Sequence, residues 1–348
     1  MASEIEADYS ARPDGPDDNE IMLQTQRKLP LTLPWGHTPI RLGTTFHSSR
    51  QSTKNPWSDE TPFVLSDLHM IPKELHFEYG TTSTFKKVST RRERETKDHL
   101  TLGFGVGVGL PFLAAASVKG EFDQNIEENR DSEKISLNSS CRAGTIEFQR
   151  QPRLNKEAII EIKYGGGYEA LCKKYGDYYL SGYRLGGDTG ILISAAGHTR
   201  NQIDTYGITA TVTVLMISAS KHWDKDFRSF VAGRSTKLLG YDTIDGKTWK
   251  RSSAEGAEIK EMQAWGGYDP EVDNGSLRAD ADAILTRSEN TLERILDILE
   301  KHGYRNSASL TFNQCEELVA EGVVVELLLQ PLWRLRDVVQ WRLEDNII

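Results

Sequence analysis

The sequence lacks the marks of a helical membrane protein, of a disulfide-stapled domain and of a metal enzyme. No uninterrupted apolar stretch reaches the roughly 18 residues of a helical span. Cysteine is scarce: Cys141, Cys172 and Cys315 are odd in number and far apart, so neither a disulfide framework nor metal-ligand spacing is visible. Free thiols suit a reducing compartment. The eight histidines are scattered, with no His-x-x-x-His pair. A Gly-x-Ser-x-Gly elbow is missing. The glycines from Gly103 to Gly109 lack both the Gly-Lys-Ser/Thr of a phosphate loop and the third glycine of a dinucleotide loop. These absences nominate no catalytic residue, no metal and no cofactor, and the chain is not expected to be an enzyme. Basic charge is also short, 42 Lys and Arg against 51 Asp and Glu for a net −9. That balance argues against nucleic acid, and against holding an anionic membrane by charge alone.

What is present is length for one large β-rich domain. Residues 1 to 28 are acidic and poor in apolar side chains, the composition of a disordered, solvated tail, with an activation or partner-binding segment as the alternative. They hold no apolar run, so no secretory signal is expected. From 29 to 348 a single domain is expected. Six prolines, Pro30, Pro34, Pro39, Pro56, Pro62 and Pro72, divide its start into loops and short edge strands. Leu75, Phe77 and Tyr79 alternate with His76 and Glu78, a half-buried strand. Lys86, Lys87, Arg91, Arg92 and Arg94, interleaved with glutamate, read as a solvated face or as a contact for lipid head groups or a neighbouring subunit.

Residues 102 to 123 carry the clearest signal. Even positions are apolar or small: Leu102, Phe104, Val106, Val108, Leu110, Phe112, Ala114, Ala116, Val118, Gly120 and Phe122. Odd positions hold Gly103, Gly105, Gly107, Gly109, Pro111, Leu113, Ala115, Ser117, and then Lys119, Glu121 and Asp123, so the charges share one face. A helix would seat four alternating glycines at about 1 kcal/mol each. A strand puts a greasy ribbon on one side and glycine, hydroxyl or charge on the other. Soluble strands average about 5 to 6 residues and a bilayer-crossing strand needs roughly 9 to 11; this one is twice that. The alternative is two soluble strands broken near Pro111.

A return arm follows, Lys134, Ser136, Asn138, Ser140 and Arg142 alternating with Ile135, Leu137, Ser139, Cys141 and Ala143. At Ala143-Gly144 the phase slips, which predicts a bulge or the junction with a permanent sheet. Gly165-Gly166-Gly167 reads as a loop and Ile191 to Ala195 as a strand. A second arm begins with Ile208, Ala210, Val212, Val214 and Met216 alternating with threonines. Asp245-Gly246 between Thr243-Ile244 and Lys247-Thr248 predicts a type I′ hairpin. Residues 223 to 239 have helical spacing. Later, Ser288 is expected to cap a helix carrying Leu292, Ile295, Leu296 and Leu299 and ending at Gly303. Gly322 to Gln330 reads as a buried strand and Leu332 to Leu343 as a closing helix.

Between the two arms lies Tyr175-Gly176-Asp177-Tyr178-Tyr179, six residues, then Gly186-Gly187. Paired glycines in a strand mark a sharp bend or a close backbone approach, here a hinge between two hairpin-forming arms. The run resembles the signature of the membrane-attack-complex/perforin and cholesterol-dependent-cytolysin (MACPF/CDC) superfamily: aromatic-Gly-Thr/Ser-His-aromatic, six residues, Gly-Gly. Tyr175, Gly176, Tyr179, Gly186 and Gly187 match it, spacing included. Asp177 and Tyr178 depart from it. Arg41-Leu42-Gly43 and Trp265-Gly266-Gly267-Tyr268-Asp269-Pro270 are similar to the superfamily's other landmarks, and the likeness spans about 36 to 345, in the style of fungal pleurotolysin-like members.

The resemblance implies an α+β fold, a bent and twisted antiparallel sheet flanked by two helical clusters that unfurl into membrane hairpins. Hairpin regions are then expected at about 100 to 145 and 200 to 260, with Gly186 and Gly187 permitting the sheet to straighten. In a barrel, Leu102, Phe104, Val106, Val108, Leu110, Phe112, Val118 and Phe122 are expected to face lipid, and Gly103, Gly105, Ser117, Lys119, Glu121 and Asp123 the lumen. The implied function is a ring of subunits that inserts hairpins into a target membrane. No separate C-terminal targeting module is seen, so a partner is expected to deliver the chain to lipid. In fungal relatives that role belongs to an aegerolysin, a small sphingolipid-binding protein. The expected life history is synthesis as a soluble cytoplasmic protein, non-classical release, and membrane association when active. Two readings compete: a non-lytic interaction protein that keeps the fold, and a carbohydrate-binding β-protein.

Overall fold

The computed structural model describes residues 23 to 35, 39 to 50, 55 to 77, 84 to 90, 133 to 195, 236 to 253, 286 to 287 and 290 to 345. Apolar residues at period two between prolines give short strands first. In β1 (Leu31–Pro34), Leu31 and Leu33 are buried and Thr32 is half-buried. β2 (Thr45–Phe46), helix α1 (Leu65–Met70) and β3 (Lys73–Phe77) follow. β3 shows the expected alternation, Leu75 buried and His76 exposed. β4 (Thr84–Thr90) and β5 (Glu133–Phe148) are paired antiparallel.

Two helices that sequence reading did not foresee stand before the glycine motif, joined at the loop expected around Gly165-Gly166. α2 (Lys156–Tyr164) starts because the Asn155 side chain accepts the amide of Ala158 at 2.8 Å. It ends at Gly165 and Gly166, and α3 (Gly167–Tyr175) begins at once. Tyr175, the first residue of the signature run, is the last residue of α3. β6 (Tyr178–Ala195) then runs for 18 residues. Nearly every residue from Tyr178 to Gly190 is buried, as in a central strand covered on both faces.

β7 (Thr236–Asp242) and β8 (Lys247–Ser253) form a hairpin. Its loop is longer than the two residues expected. Thr243 and Ile244 belong to the turn, because the Asp242 carboxylate accepts the amides of Ile244 and Asp245 and closes a four-residue loop. α4 (Thr291–Lys301) buries Ile295 and Leu299. Its N-cap is Asn290, not Ser288, and the αL residue after it is Gly303, as expected. β9 (Ser309–Leu310) leads to α5 (Phe312–Ala320), which a capping box of Thr311 and Gln314 starts. β10 (Val324–Pro331), almost wholly buried, and α6 (Arg336–Asp345) close the chain.

The ten strands among the described residues belong to one bent antiparallel sheet, and β5 and β6 are common to its two halves. In the first half the order is β1-β10-β6-β5-β3-β9, so the start and end of the described chain pair through Leu31 and Leu329. In the second half the order is β4-β5-β6-β7-β8. Helices form two groups. α2, α3 and α6 pack together near the start of β6. α4 packs on β5 and β6, α5 packs on α1, and Lys301 and His302 at the end of α4 meet Glu321 after α5. The architecture is α+β. Of the expected N-terminal tail, residues 23 to 28 form a helical turn whose end is tied down: the Trp333 indole donates to the Lys28 carbonyl at 3.0 Å.

Candidate functional site

The two halves meet at one level, and both neighbours of β6 are irregular there. On one side β5 pairs Arg142 with Gly186 and Gly144 with Leu185, leaving Ala143 as an extra residue. On the other β10 pairs Val324 with Leu185 and Glu326 with Arg184, leaving Val325 as an extra residue. The phase slip expected at Ala143-Gly144 is therefore a bulge, and a second bulge stands opposite it across β6. Bulges on both flanks bend and twist a ladder locally. Here β6 gives up β10 for β7, and β5 gives up β3 for β4.

The glycines of the motif sit at this level because neighbours come too close for a side chain. A Cβ on Gly186 would lie 2.3 Å from the Cys141 carbonyl oxygen and 2.8 Å from Val325 Cγ2. A Cβ on Gly187 would lie 2.7 Å from both Ile244 Cδ1 and Thr291 Cγ2, so this glycine seats the β7–β8 turn and the first residue of α4. Neither has the positive φ that favours glycine; Gly176 does, at 108°, where the chain leaves α3 against the backbone of Phe46.

A buried ionic cluster crosses the same level. Arg142 on β5 makes a fork to Asp188 on β6, 2.9 Å from Nη1 to Oδ1 and 3.2 Å from Nη2 to Oδ2. Its Nε donates to Glu326 on β10 at 2.7 Å. Ser140 Oγ donates to Asp188 at 2.5 Å, and Arg184 lies 3.3 Å from Glu326. Burial alone would lower the Arg142 pKa, but Asp188 and Glu326 carry it above the ordinary arginine value. A second cluster clamps α4 to the turn: Arg294 reaches Asp242 at 2.7 Å and Asp245 at 2.8 Å, and Arg287 reaches Asp245 at 2.9 Å. Burial pushes the Asp245 carboxyl up, and Arg287 with Arg294 outweighs that and holds it low.

The two residues that depart from the superfamily signature are both tied down. Asp177 accepts from Ser48, 2.8 Å from the amide and 2.5 Å from the hydroxyl. The Tyr178 hydroxyl donates to the Leu29 carbonyl at 2.9 Å. Burial, and Arg50 beside it, hold the His47 pKa low while Asp177 pulls it up. Leu42 and Gly43, of the opening landmark, dock on the same strand, the Gly43 amide donating to the Leu180 carbonyl at 2.8 Å.

Tyr175, Gly176, Tyr179, Gly186 and Gly187 are thus strung along α3 and β6, the first three at the start of the strand and the last two at the bend. The lipid-facing set Leu102, Phe104, Val106, Val108, Leu110, Phe112, Val118 and Phe122 lies outside the described residues. So does the lumen set Gly103, Gly105, Ser117, Lys119, Glu121 and Asp123, and so do residues 208 to 216 and 265 to 270. Of the expected hairpin regions, 133 to 145 and 236 to 253 are described, as sheet strands. What sequence reading missed is Asp188, Glu326 and the role of Arg142. A charge next to a glycine pair, and Glu326 inside an otherwise apolar strand, were the available signals.

The strand ends are arranged in one row. Thr90 ends β4 and pairs with the ladder at Ser89↔Ile135 and Thr90↔Lys134; Glu133 opens β5 opposite Ala195, which ends β6; Ala195 pairs with Thr236, which opens β7. Residues 91 to 132 and 196 to 235 therefore both leave and re-enter the sheet at the same end. Among the described residues no helix is long and apolar enough to cross a membrane, and no His/Cys/Asp/Glu group could hold a metal.

No family profile and no curated protein matches the chain. Solved structures similar to it include GNIP1Aa from Chromobacterium piscinae, at 14% identity and TM-score 0.31, over 78% of this chain and 57% of that one. Pneumolysin matches at 8% identity and TM-score 0.31, over 72% and 39%. Suilysin from Streptococcus suis, described as a cytotoxin, matches at 10% and 0.29, over 75% and 42%. The chain thus spans less than two thirds of the length of each. The architecture stands on the register described above, not on these overlaps.

Proposed function

We propose that this chain is a pore-forming protein of the MACPF/CDC superfamily that assembles into a ring on a target membrane. The observation that supports this most is the row formed by Thr90, Glu133, Ala195 and Thr236. Two long segments hang from one end of a sheet whose four middle strands already run antiparallel, so each extends the sheet as a hairpin without any change of strand order. The period-two pattern of Leu102 to Asp123 gives the first hairpin one face for lipid and one for water. A single hairpin in lipid leaves backbone groups unpaired at several kcal/mol each, so only a closed barrel is tolerable. One chain supplies four strands, too few for a wide barrel, and the ring follows. The bend carries the change from compact to extended sheet.

With a net charge of −9 the chain has no general attraction to anionic lipid. A separate lipid-binding partner, aegerolysin-like in role, is proposed to bring it to a sphingolipid surface. The test is dye release from sphingolipid vesicles with and without such a partner, joined to negative-stain imaging. Ring-shaped particles and partner-dependent release are expected. Efficient lysis by the chain alone removes the partner; intact vesicles without rings remove the pore. Spin labels from 102 to 123 should alternate between lipid and water contact.

A non-lytic interaction protein is the second reading, favoured by Asp177 and Tyr178, which replace the signature's centre and are both held by hydrogen bonds. A disulfide tying the first arm to the body separates the two. A pore former loses release until reductant is added, and a binding protein is indifferent.

A further inference from the structure

β5 and β10 lie on opposite sides of β6, yet Arg142 of β5 touches Glu326 of β10. Its side chain must cross the middle strand, and Gly186, its register partner, is where it does so. A Cβ there would sit 3.3 Å from Arg142 Cδ, tighter than an ordinary contact. We infer that Arg142 is a hasp that holds the bend closed, and that position 186 is glycine so that this arginine can cross β6.

The two carboxylates that Arg142 joins belong to different halves of the sheet. Asp188 lies on the stretch of β6 that runs on into the β7 ladder, beginning at Thr189, while Glu326 lies on β10, in the half closed by β1. A planar guanidinium satisfies both only at one angle between the halves. Straightening the sheet moves Asp188 relative to Glu326 and separates one of them from Arg142. The side chains of Asp188 and Glu326 are only 6% and 9% exposed, so water does not readily take the arginine's place. The hasp therefore adds to the barrier for opening. This deepens the pore-forming reading and rests on it for the effect on membrane insertion, but not for the effect on the soluble protein.

Removing Arg142 alone would take from two buried carboxylates the cation they share, so the test variant neutralises all three: Arg142→Met with Asp188→Asn and Glu326→Gln. Hydrogen exchange of the soluble protein should show residues 133 to 141 and 187 to 195 exchanging about tenfold faster or more, with 178 to 185 and 324 to 331 unchanged. Arg142→Lys keeps the charge without the fork and should give the same selective pattern, smaller; it also serves if the triple variant does not fold. Arg153→Met, which breaks an ion pair to Asp67 away from the bend, should not give it. Equal acceleration of both halves, or none, overturns the inference. On vesicles the same variants should shorten the lag before dye release. Selective exchange with an unchanged lag in a protein that does release dye overturns the gating role. Selective exchange where even the unaltered protein releases nothing leaves the hasp standing and refutes the pore.

Discussion

Gly186→Ala separates two reasons for a glycine pair at a bend. If Gly186 serves only to loosen the chain, alanine should stabilise the protein by about 0.4 to 1 kcal/mol, since it restricts the unfolded state and the native φ is one that alanine adopts. The geometry predicts the opposite sign. The new methyl carbon would stand 2.3 Å from the Cys141 carbonyl oxygen, a backbone atom that cannot rotate away, and 2.8 Å from Val325 Cγ2. Overpacking of this kind costs typically 1 to 3 kcal/mol, and displacement of Arg142 from Glu326 adds to it. A loss of about 2 to 3 kcal/mol is expected, read as a lower urea midpoint at unchanged slope. For Gly187→Ala the nearest atoms are side-chain rather than backbone, Ile244 Cδ1 and Cγ1 and Thr291 Cγ2. The substitution should cost less, about 1 kcal/mol. A midpoint for Gly186→Ala equal to or above that of the unaltered protein would refute the steric account of the bend.

Other expectations follow from single contacts. Thr311→Ala removes the capping box of α5 and should lower stability by about 1 kcal/mol in the same urea series. The Asp67 carboxyl, hydrogen-bonded by Arg153, is held down to about 2. Its folded value is below the unfolded one of 3.8, so its contribution is whole above about pH 4 and is lost as pH falls through 2. Arg153→Met should flatten stability against pH in that window, read as a urea midpoint that falls less on acidification than that of the unaltered protein. Burial pushes the Cys315 thiol up to about 12 and the Cys172 thiol up to about 11. Neither should react with a thiol reagent at pH 8 until urea unfolds the chain.

The sheet was legible where local pattern and tertiary demand agree. Leu75 and Phe77 alternate because β3 has a wet face, and Ala143-Gly144 break phase because β5 changes partner there. β10 was legible from six apolar residues among the seven from Val323 to Leu329, since a strand covered on both sides needs no alternation. α2 and α3 were missed because each is a short helix that buries only two residues, Ala158 and Ile162 in one and Leu171 and Tyr175 in the other, and their starts rest on one asparagine and one glycine. The turn after β7 was misjudged because Asp245-Gly246 carries a strong local signal, while the actual loop is closed by Asp242 three residues before Asp245. The hinge glycines could be found from spacing alone. Their neighbours could not, because Arg142, Asp188 and Glu326 are brought together only by the order of strands.

That order also constrains how the protein can be made. β10 sits between β1 and β6, pairing Leu31 with Leu329 and Tyr183 with Leu327. A chain emerging from the ribosome therefore finishes β1, both glycines and both long segments before the strand that unites them exists. Contacts so distant in sequence form slowly, and until they form β1 and β6 lack the strand that joins them. Synthesis is therefore the interval in which the two halves of the sheet are most open to wrong partners.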